Sequence, residues 1–340
     1  MPPKRSFVRS ALCTLHSALC IFGLLGAVAC GGSEPSSLRK VRVSVNPHLS
    51  WGPIMIAQAE GFFRDEGLEV EFVQAMEVEE TLVALITGDI DVRPGAIHAA
   101  FLSAVARGAP VRIAAGSGVV GAQGSCSYFG IVLRPGLDTA GTPAIRSLRT
   151  SLDGSTRYVV SRMLAKRGIP LDKINTNRLE DHLIAMALEN GSLDAAAITG
   201  TGLTRLAKVG TLWLTAEDVV PGYQWSVLTF GERLLVRERD TGLRFLRAFH
   251  RGVAQYRQGK TERNVAILSE GTGQTPEVVR ETCWPVFTAD SRVNWASIDE
   301  FQQWATAEGF MEAVVPADMA LDSTLVAEAA SRVAPEQKQR

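Results

Sequence analysis

This 340-residue chain lacks a strong charge of either sign and lacks clustered metal ligands. It has 35 Lys and Arg against 36 Asp and Glu, and residues 1–29 hold three of the basic residues and no acidic one. The remainder is mildly acidic, which argues against the basic surface that nucleic-acid binding requires. The five histidines are scattered singly, so the sequence predicts neither a metal site nor a metal cofactor.

Cysteine is scarce as well, with five in the whole chain. Cys13 and Cys20 lie in the N-terminal segment and Cys30 directly follows it, which leaves Cys126 and Cys283. Their spacing matches no metal-site pattern. Two cysteines this far apart in sequence are more often separate buried thiols, and we expect these two to be unpaired, although an oxidising compartment would permit a disulfide.

The N-terminus has the layout of an export signal. Lys4, Arg5 and Arg9 precede a mostly apolar stretch, and Ala27-Val28-Ala29 ends just before Cys30. The pattern predicts a signal peptide over 1–29, lipidation of Cys30 and a flexible tether over 30–38, as in a bacterial lipoprotein. Lipoproteins usually have Leu where this chain has Ala27, so cleavage at the same bond without lipidation stays open. A retained membrane anchor is disfavoured, because the apolar run is barely of spanning length.

Short strands and helices alternate along the chain after residue 38. Residues 41–45 alternate in the pattern of a half-buried strand, and Gly67 closes a helix that begins near Ser50. The other strands predicted in this half are 68–73, 90–92 and 111–115, and its helices are 50–65, 79–86 and 96–106. Alternation with such short loops predicts an α/β fold with a mostly parallel sheet covered on both faces.

The same order of elements recurs further along the chain. Helix-closing glycines pair at separations of 101, 103 and 102 residues: Gly67 with Gly168, Gly88 with Gly191, and Gly108 with Gly210. The predicted helices of this second half are 156–166, 181–189 and 203–208, and its strands are 173–176, 195–198 and 212–215. We therefore predict two similar lobes, spanning about 39–128 and 131–225, with a polar tail at 334–340.

Several motifs fit one known family. They are Ala57-x-Ala59-Glu60-Gly61-Phe62-Phe63-x-x-Glu66-Gly67-Leu68-x-Val70, Leu85-x-x-Gly88-Asp89-Ile90-Asp91, Gly108-x-Pro110-Val111 and Leu188-x-x-Gly191-x-Leu193-Asp194. Together they resemble the ABC-transporter substrate-binding proteins for nitrate, taurine, alkanesulfonates and thiamine pyrimidine precursors. The resemblance covers about 40–230 well and the rest loosely. Asp91 is usually followed by small residues in that family, whereas Arg93-Pro94 intervenes here.

The resemblance implies a two-lobed periplasmic-binding-protein-like fold of type II, with a ligand cleft between the lobes. Residues 227–333 would complete the first lobe. The protein would then be a solute-binding lipoprotein on the periplasmic side of a bacterial envelope. It would be a monomer that hands a small molecule to an ABC permease, without catalysis and without a cofactor.

In open parallel sheets, ligands bind beyond the carboxyl ends of the strands. The loops expected there supply the predicted ligand-binding residues: Asn46, His48, Trp51, Gly95, Ala96, Ser117, Gly118, Ser155, Thr156, Thr199 and Trp225. Each has a structural alternative. Trp51 and Trp225 could be packing residues, Ser155 and Thr156 simple helix caps, and Arg93 a solvated or lobe-bridging charge.

An enzymatic function has less support from the sequence. Gly116-Ser-Gly118-Val-Val-Gly121 follows a strand and matches a dinucleotide-binding pattern. No helix is expected to begin there, so we interpret it as a glycine-rich loop that enters the hinge. An enzyme built on the same two-lobed fold remains an alternative, since fold does not fix function. A ligand-sensing lipoprotein without transport is a third, and the sequence does not single out one ligand.

Overall fold

The computed structural model describes residues 38–74, 78–139, 141–151 and 154–333. The predicted signal peptide at 1–29, the lipidation site at Cys30, nearly all of the tether and the tail at 334–340 lie outside the described residues. Among the described helices, none combines the length and the apolar composition that crossing a membrane requires.

The first lobe begins with alternating strands and helices. Its strands are β1 (Arg39–Val45), β2 (Leu68–Gln74), β3 (Val92–Ala96) and β4 (Arg112–Gly116). Its helices are α1 (Gly52–Ala59), α2 (Phe62–Asp65), α3 (Val78–Thr87) and α4 (Ala99–Ala106), with a short 3-10 turn at Leu49–Trp51. The long helix predicted over 50–65 is therefore divided, because Gly61 adopts a left-handed conformation with φ of 75°.

The second lobe follows a short strand, β5 (Gly118–Val119). Its strands are β6 (Phe129–Leu133), β7 (Ser147–Arg149), β8 (Asn175–Asn177), β9 (Ala195–Thr199) and β10 (Thr211–Thr215). Its helices are α5 (Gly154–Ala165), α6 (Asp181–Glu189) and α7 (Gly200–Leu206), with a 3-10 turn at Leu171–Lys173. Strand β7 was not predicted, since three residues are too few to show a two-residue alternation.

The chain then returns to the first lobe. The elements of this part are β11 (Ser226–Phe230), a π-helical turn (Arg233–Arg237), α8 (Arg239–Tyr256), α9 (Glu262–Thr272), α10 (Pro276–Glu281), β12 (Val286–Phe287), α11 (Trp295–Ala307), α12 (Ala317–Ala320) and α13 (Ser323–Val333). Helix α8 buries an apolar face against the first lobe, where Phe245 stacks on Phe63 with ring centroids 4.9 Å apart. Residues from Ser226 to Tyr256 thus contribute to the first sheet and its helical cover, whereas α11 packs on α5 of the second lobe, where the rings of Phe301 and Tyr158 lie 5.9 Å apart.

The two sheets have the same strand order. The first reads β2-β1-β3-β11-β4 and the second β8-β7-β9-β6-β10. In each, the strand in fourth position is antiparallel to both of its neighbours, while the pairs among the first three strands are parallel. The mostly parallel α/β architecture predicted from the sequence is confirmed, and the periodicity of the glycines corresponds to a structural repeat.

The repeated Leu-x-x-Gly-x-x-Asp motif makes equivalent hydrogen bonds in the two sheets. Asp91 and Asp194 are each 2% exposed. Asp91 accepts the backbone N–H of Arg42 at 2.8 Å and two hydrogen bonds from Arg233 at 2.9 Å each. Asp194 accepts the N–H of Arg146 and the Nε–H of Arg134, both at 2.9 Å. In both lobes the arginine follows the fourth-position strand, so this motif holds the sheet together.

The expectation that Cys126 and Cys283 are separate thiols is wrong. The two residues form a disulfide, with Cα atoms 5.8 Å apart and a sequence separation of 157. The reason is topological: β12 pairs with β5, which brings the segment after α10 alongside the linker that leads into β6. Sequence separation alone gave no sign of this pairing.

Candidate functional site

The carboxyl ends of the parallel strands in both lobes face one cleft. β1 and β3 end there in the first lobe, and β7 and β9 end there in the second. The antiparallel strands begin at the same edge: Ser226 pairs with Ala96, and Phe129 pairs with Thr199. Both chain segments that cross between the lobes therefore reach the cleft as well.

A cavity of about 360 Å³ occupies this cleft. The residues that line it come from both lobes and from both crossing segments: Asn46, His48, Ser50, Trp51, Pro94, Gly95, Ala96, Tyr128, Ser151, Thr156, Thr199, Trp225 and Ser226. None of these side chains is a carboxylate, an ammonium or a guanidinium. The cavity wall instead combines hydroxyl groups, backbone and aromatic rings, which suits a small ligand with polar atoms and an apolar or planar part.

The structure brings eight of the eleven residues predicted from the sequence into this wall, and leaves out Ser117, Gly118 and Ser155. Ser117 is 4% exposed, and its N–H donates to the carbonyl of Ser226 at 3.0 Å. Gly118 lines a separate hinge cavity of only about 20 Å³. Ser155 is fully buried beside Tyr223, and its N–H donates to the carbonyl of Ile97 at 3.2 Å.

Five residues of the wall were not predicted: Ser50, Pro94, Tyr128, Ser151 and Ser226. Tyr128 is the largest of them and comes directly before β6, on the first crossing segment. Burial raises the pKa of its phenol, and the hydroxyls of Ser50 and Thr199 oppose that rise. Tyr128 lies at the cleft because β6 runs antiparallel to β9, a direction that the sequence analysis did not predict.

The two tryptophans serve packing and the cavity at once. The indole N–H of Trp51 donates to the carbonyl of Ser44 at 3.3 Å, which fixes the ring against β1 while part of it stays exposed in the cavity. The ring of Trp225 lies 5.0 Å from that of Phe129. The structural and ligand-binding alternatives are therefore compatible at both positions.

One of the contacts between the lobes lies at an end of the cleft. Besides the hydrogen bond from Ser155 to Ile97, the ring of His98 packs against Gly154 at the start of α5. Beyond this contact lies a second cavity of about 270 Å³ that shares Ser151 with the first. Its wall does carry charge, from Glu79, Arg149, Arg178, Glu180 and Asp181.

The hinge contains a buried carboxyl group. Glu217 is 2% exposed on the second crossing segment, and its carboxylate accepts the N–H of Tyr128 on the first crossing segment at 3.0 Å. Burial raises the pKa of Glu217 despite that hydrogen bond. Within the described part of the chain, no group of three or more His, Cys, Asp and Glu side chains could hold a metal ion.

Comparison with protein families gives one match. A family model described as NMT1/THI5 like matches residues 49–259, which contain most of the first lobe, all of the second and helix α8. No curated protein matches the sequence.

Solved structures share the fold at low sequence identity. The nitrate-binding protein NrtA of Synechocystis PCC 6803 superimposes with a TM-score of 0.70 at 15% identity, over 87% of this chain and 89% of NrtA. The aliphatic sulphonate-binding protein SsuA of Escherichia coli gives 0.63 at 17% identity, over 84% and 92%. The desulfurization enzyme DSZB gives 0.65 at 14% identity, over 86% and 99%.

Proposed function

The chain belongs to the NMT1/THI5-like family, and from this premise we propose that it is the solute-binding component of an ABC importer. In this proposal it binds a small molecule between its lobes outside the cytoplasm and presents it to a permease, without transforming it. The ligand is an anionic or planar polar compound such as a sulfonate, taurine, nitrate or a thiamine pyrimidine precursor.

The observation that carries the proposal is the position of the 360 Å³ cavity. It is built from both lobes and from both crossing segments, so a ligand inside it touches all the parts whose relative motion opens and closes the cleft. A ligand that contacts both lobes only in the closed arrangement stabilises that arrangement by its differential affinity. Hinge closure around a ligand is the motion expected of such a two-lobed receptor.

We propose further that Cys30 carries the lipid and that the mature protein is held on the periplasmic side of a membrane as a monomer. Cys30 and the preceding signal pattern lie outside the described residues, so this proposal rests on the sequence. Cys30→Ala should move the exported protein from the detergent fraction to the soluble periplasmic fraction. An unlipidated N-terminus at residue 30 in the wild-type protein would contradict lipidation and leave export standing.

Ligand binding is tested by thermal shift with sulfonates, taurine, nitrate and pyrimidine precursors. A ligand at 100 times its dissociation constant stabilises the native state by about 2.7 kcal/mol, which raises the Tm of a chain of this size by roughly 4 °C. Thr156→Val with Thr199→Val should abolish the shift, because both hydroxyls belong to the cavity wall. Thr87→Val is the matched control, since Thr87 is exposed on α3 away from the cavity.

Lobe closure is tested with labels on exposed side chains of the two lobes. Val83 on α3 and Met186 on α6 are 57% and 58% exposed, so Cys substitutions there tolerate fluorophores. The interlabel distance should shorten when the best ligand of the panel is added. A bound ligand that leaves the distance unchanged would contradict the clamp mechanism.

The fold is also used by an enzyme, DSZB, so the panel is followed by chromatography of each ligand after incubation. The two cysteines among the described residues are paired with each other, which leaves no free thiol there as a nucleophile. Recovery of unchanged ligand supports the receptor, and turnover supports the enzyme instead. Uptake by permease-containing vesicles separates a transport receptor from a sensor.

A further inference from the structure

Arg93 is a buried cation next to the wall of the cleft. Its side chain is 6% exposed on β3, and its Nη1 is 3.5 Å from the carbonyl oxygen of Ala96, at the limit of a hydrogen bond. No carboxylate of the described residues lies within ion-pair distance of its guanidinium. The group thus keeps most of its five donors unused, although arginine side chains in buried settings normally use them in bidentate pairs.

The guanidinium lies directly behind the cavity wall. Gly95 and Ala96 line the 360 Å³ cavity. The Nη atoms of Arg93 are 3.7 Å from where a β-carbon would stand on Gly95. The guanidinium therefore lies next to the backbone of two residues that line the cavity, Gly95 and Ala96, although Arg93 itself is not part of the cavity lining.

The groups around Arg93 leave its charge largely uncompensated. Burial, and to a smaller extent Arg93 itself, lower the pKa of His98 to about 3, so that imidazole is neutral at physiological pH. Glu79 is exposed and acts on Arg93 only at longer range. Burial lowers the pKa of Arg93 to about 10, against the attraction of Glu79, so the guanidinium is still charged at neutral pH.

A buried charge without a partner is costly, and an ion that arrives beside it recovers part of that cost. Among the described residues that line the cavity, none has a charged side chain. We propose that Arg93 is the specificity-determining charge of the cleft and selects ligands with an anionic end, a sulfonate or carboxylate, held against Gly95 and Ala96. This inference rests on the proposed function and narrows the proposed ligands from anionic or neutral planar compounds to anionic ones.

The test uses two probes of nearly equal shape, benzenesulfonate and benzenesulfonamide, which differ in charge at pH 7. Their affinities are measured by calorimetry on the mature protein and on variants. Wild type should bind the sulfonate at least about tenfold more tightly, because a unit charge within several ångströms acts strongly in a poorly solvated site. The preference should also shrink as salt concentration rises.

Arg93→Gln should bring the ratio of the two affinities close to one, whereas Arg93→Lys should keep most of the preference. Arg112→Gln is the matched control, since Arg112 is a half-buried arginine of the same sheet that hydrogen-bonds only to the carbonyls of Ala109 and Val111. Circular dichroism establishes that each variant is folded. If Arg93→Gln fails to fold, Arg93→Lys and the salt dependence of the wild type still decide the question.

The results distinguish a failure of the role proposed for Arg93 from a failure of the proposed receptor function. A wild-type preference for the sulfonamide, or a preference for the sulfonate that survives in folded Arg93→Gln, overturns the role of Arg93 and leaves the receptor intact. Binding of neutral panel compounds with lobe closure, but of no anion, does the same. If no compound of either kind binds or closes the lobes, the proposed function fails together with this inference.

Discussion

Removal of the disulfide between Cys126 and Cys283 should lower the stability of the protein without unfolding it. The bond closes a loop of 157 residues. The chain-entropy model assigns such a loop about 5 kcal/mol, and measured values for native disulfides are more often about 2–4 kcal/mol. Unfolding entropy of about 2.1 cal/mol/K per residue converts 2–5 kcal/mol into a decrease in Tm of roughly 3–8 °C for some 300 residues.

The assay compares the oxidised protein with the Cys126→Ser, Cys283→Ser variant by calorimetry, each with and without reductant. Reductant should lower the Tm of the wild type towards that of the variant and leave the variant unchanged, which controls for other effects of the reagent. Cys126 is exposed, so reduction should not require prior unfolding. Titration of thiols in the exported Cys30→Ala protein, from which the signal segment with Cys13 and Cys20 has been removed, should find none before reduction. Two reactive thiols there, or equal Tm values for the two proteins, would refute the pairing or its contribution.

Two further outcomes follow from local geometry. Gly154→Ala should lower the free energy of unfolding, measured in urea, by about 1–3 kcal/mol more than Gly168→Ala does. Both glycines have φ of 68°. At Gly154 a β-carbon would lie 2.5 Å from the Nδ1 of His98, whereas Gly168 faces open space. Asp194→Asn should lower the free energy of unfolding by about 1–3 kcal/mol at pH 7, because it removes the charge that pairs with the half-buried Arg134 and weakens the hydrogen bonds to a buried acceptor. Burial raises the pKa of Asp194, but hydrogen bonds from Arg134, Arg146 and Ser147 outweigh it and the pKa is lowered from 3.8. The stabilisation is therefore present above the ordinary pKa of 3.8 and is lost as the pH falls through the lower, folded-state pKa, so the difference between the two proteins in urea unfolding should shrink as the pH is lowered through that range.

Much of the fold was predictable because local signals repeat. The glycines after the helices and the Leu-x-x-Gly-x-x-Asp phrase located the strands and helices of both lobes. Five of the six paired glycines do adopt a left-handed conformation. Gly210 does not; it lies too close to the carbonyl of Leu133 for any side chain, so its place in the repeat has another cause.

The sequence predicted those residues of the cavity wall whose positions depend only on which strand they follow along the chain. Loops after β1, β3, β7 and β9 supplied most of the predicted wall, because carboxyl ends of parallel strands meet at one edge. Tyr128, directly before β6, and Ser226, the first residue of β11, were missed because both strands are antiparallel to their neighbours, and strand direction depends on long-range pairing. Ser117 and Ser155 were chosen for their hydroxyl groups, yet backbone contacts with the other crossing segment or lobe bury both. The disulfide had no local signal at all.

The position of β11 has a consequence for how the protein is made. β11 lies between β3 and β4, and within the described strands β4 pairs with no other. During synthesis, which starts at the N-terminus, the second lobe can form its sheet from consecutive residues. Strand β4 of the first lobe has no partner among the described strands until Ser226–Phe230 have been synthesised. Such non-local pairing slows folding and exposes strand edges in the meantime. We therefore expect the lobe whose synthesis begins first to be the last to complete its sheet.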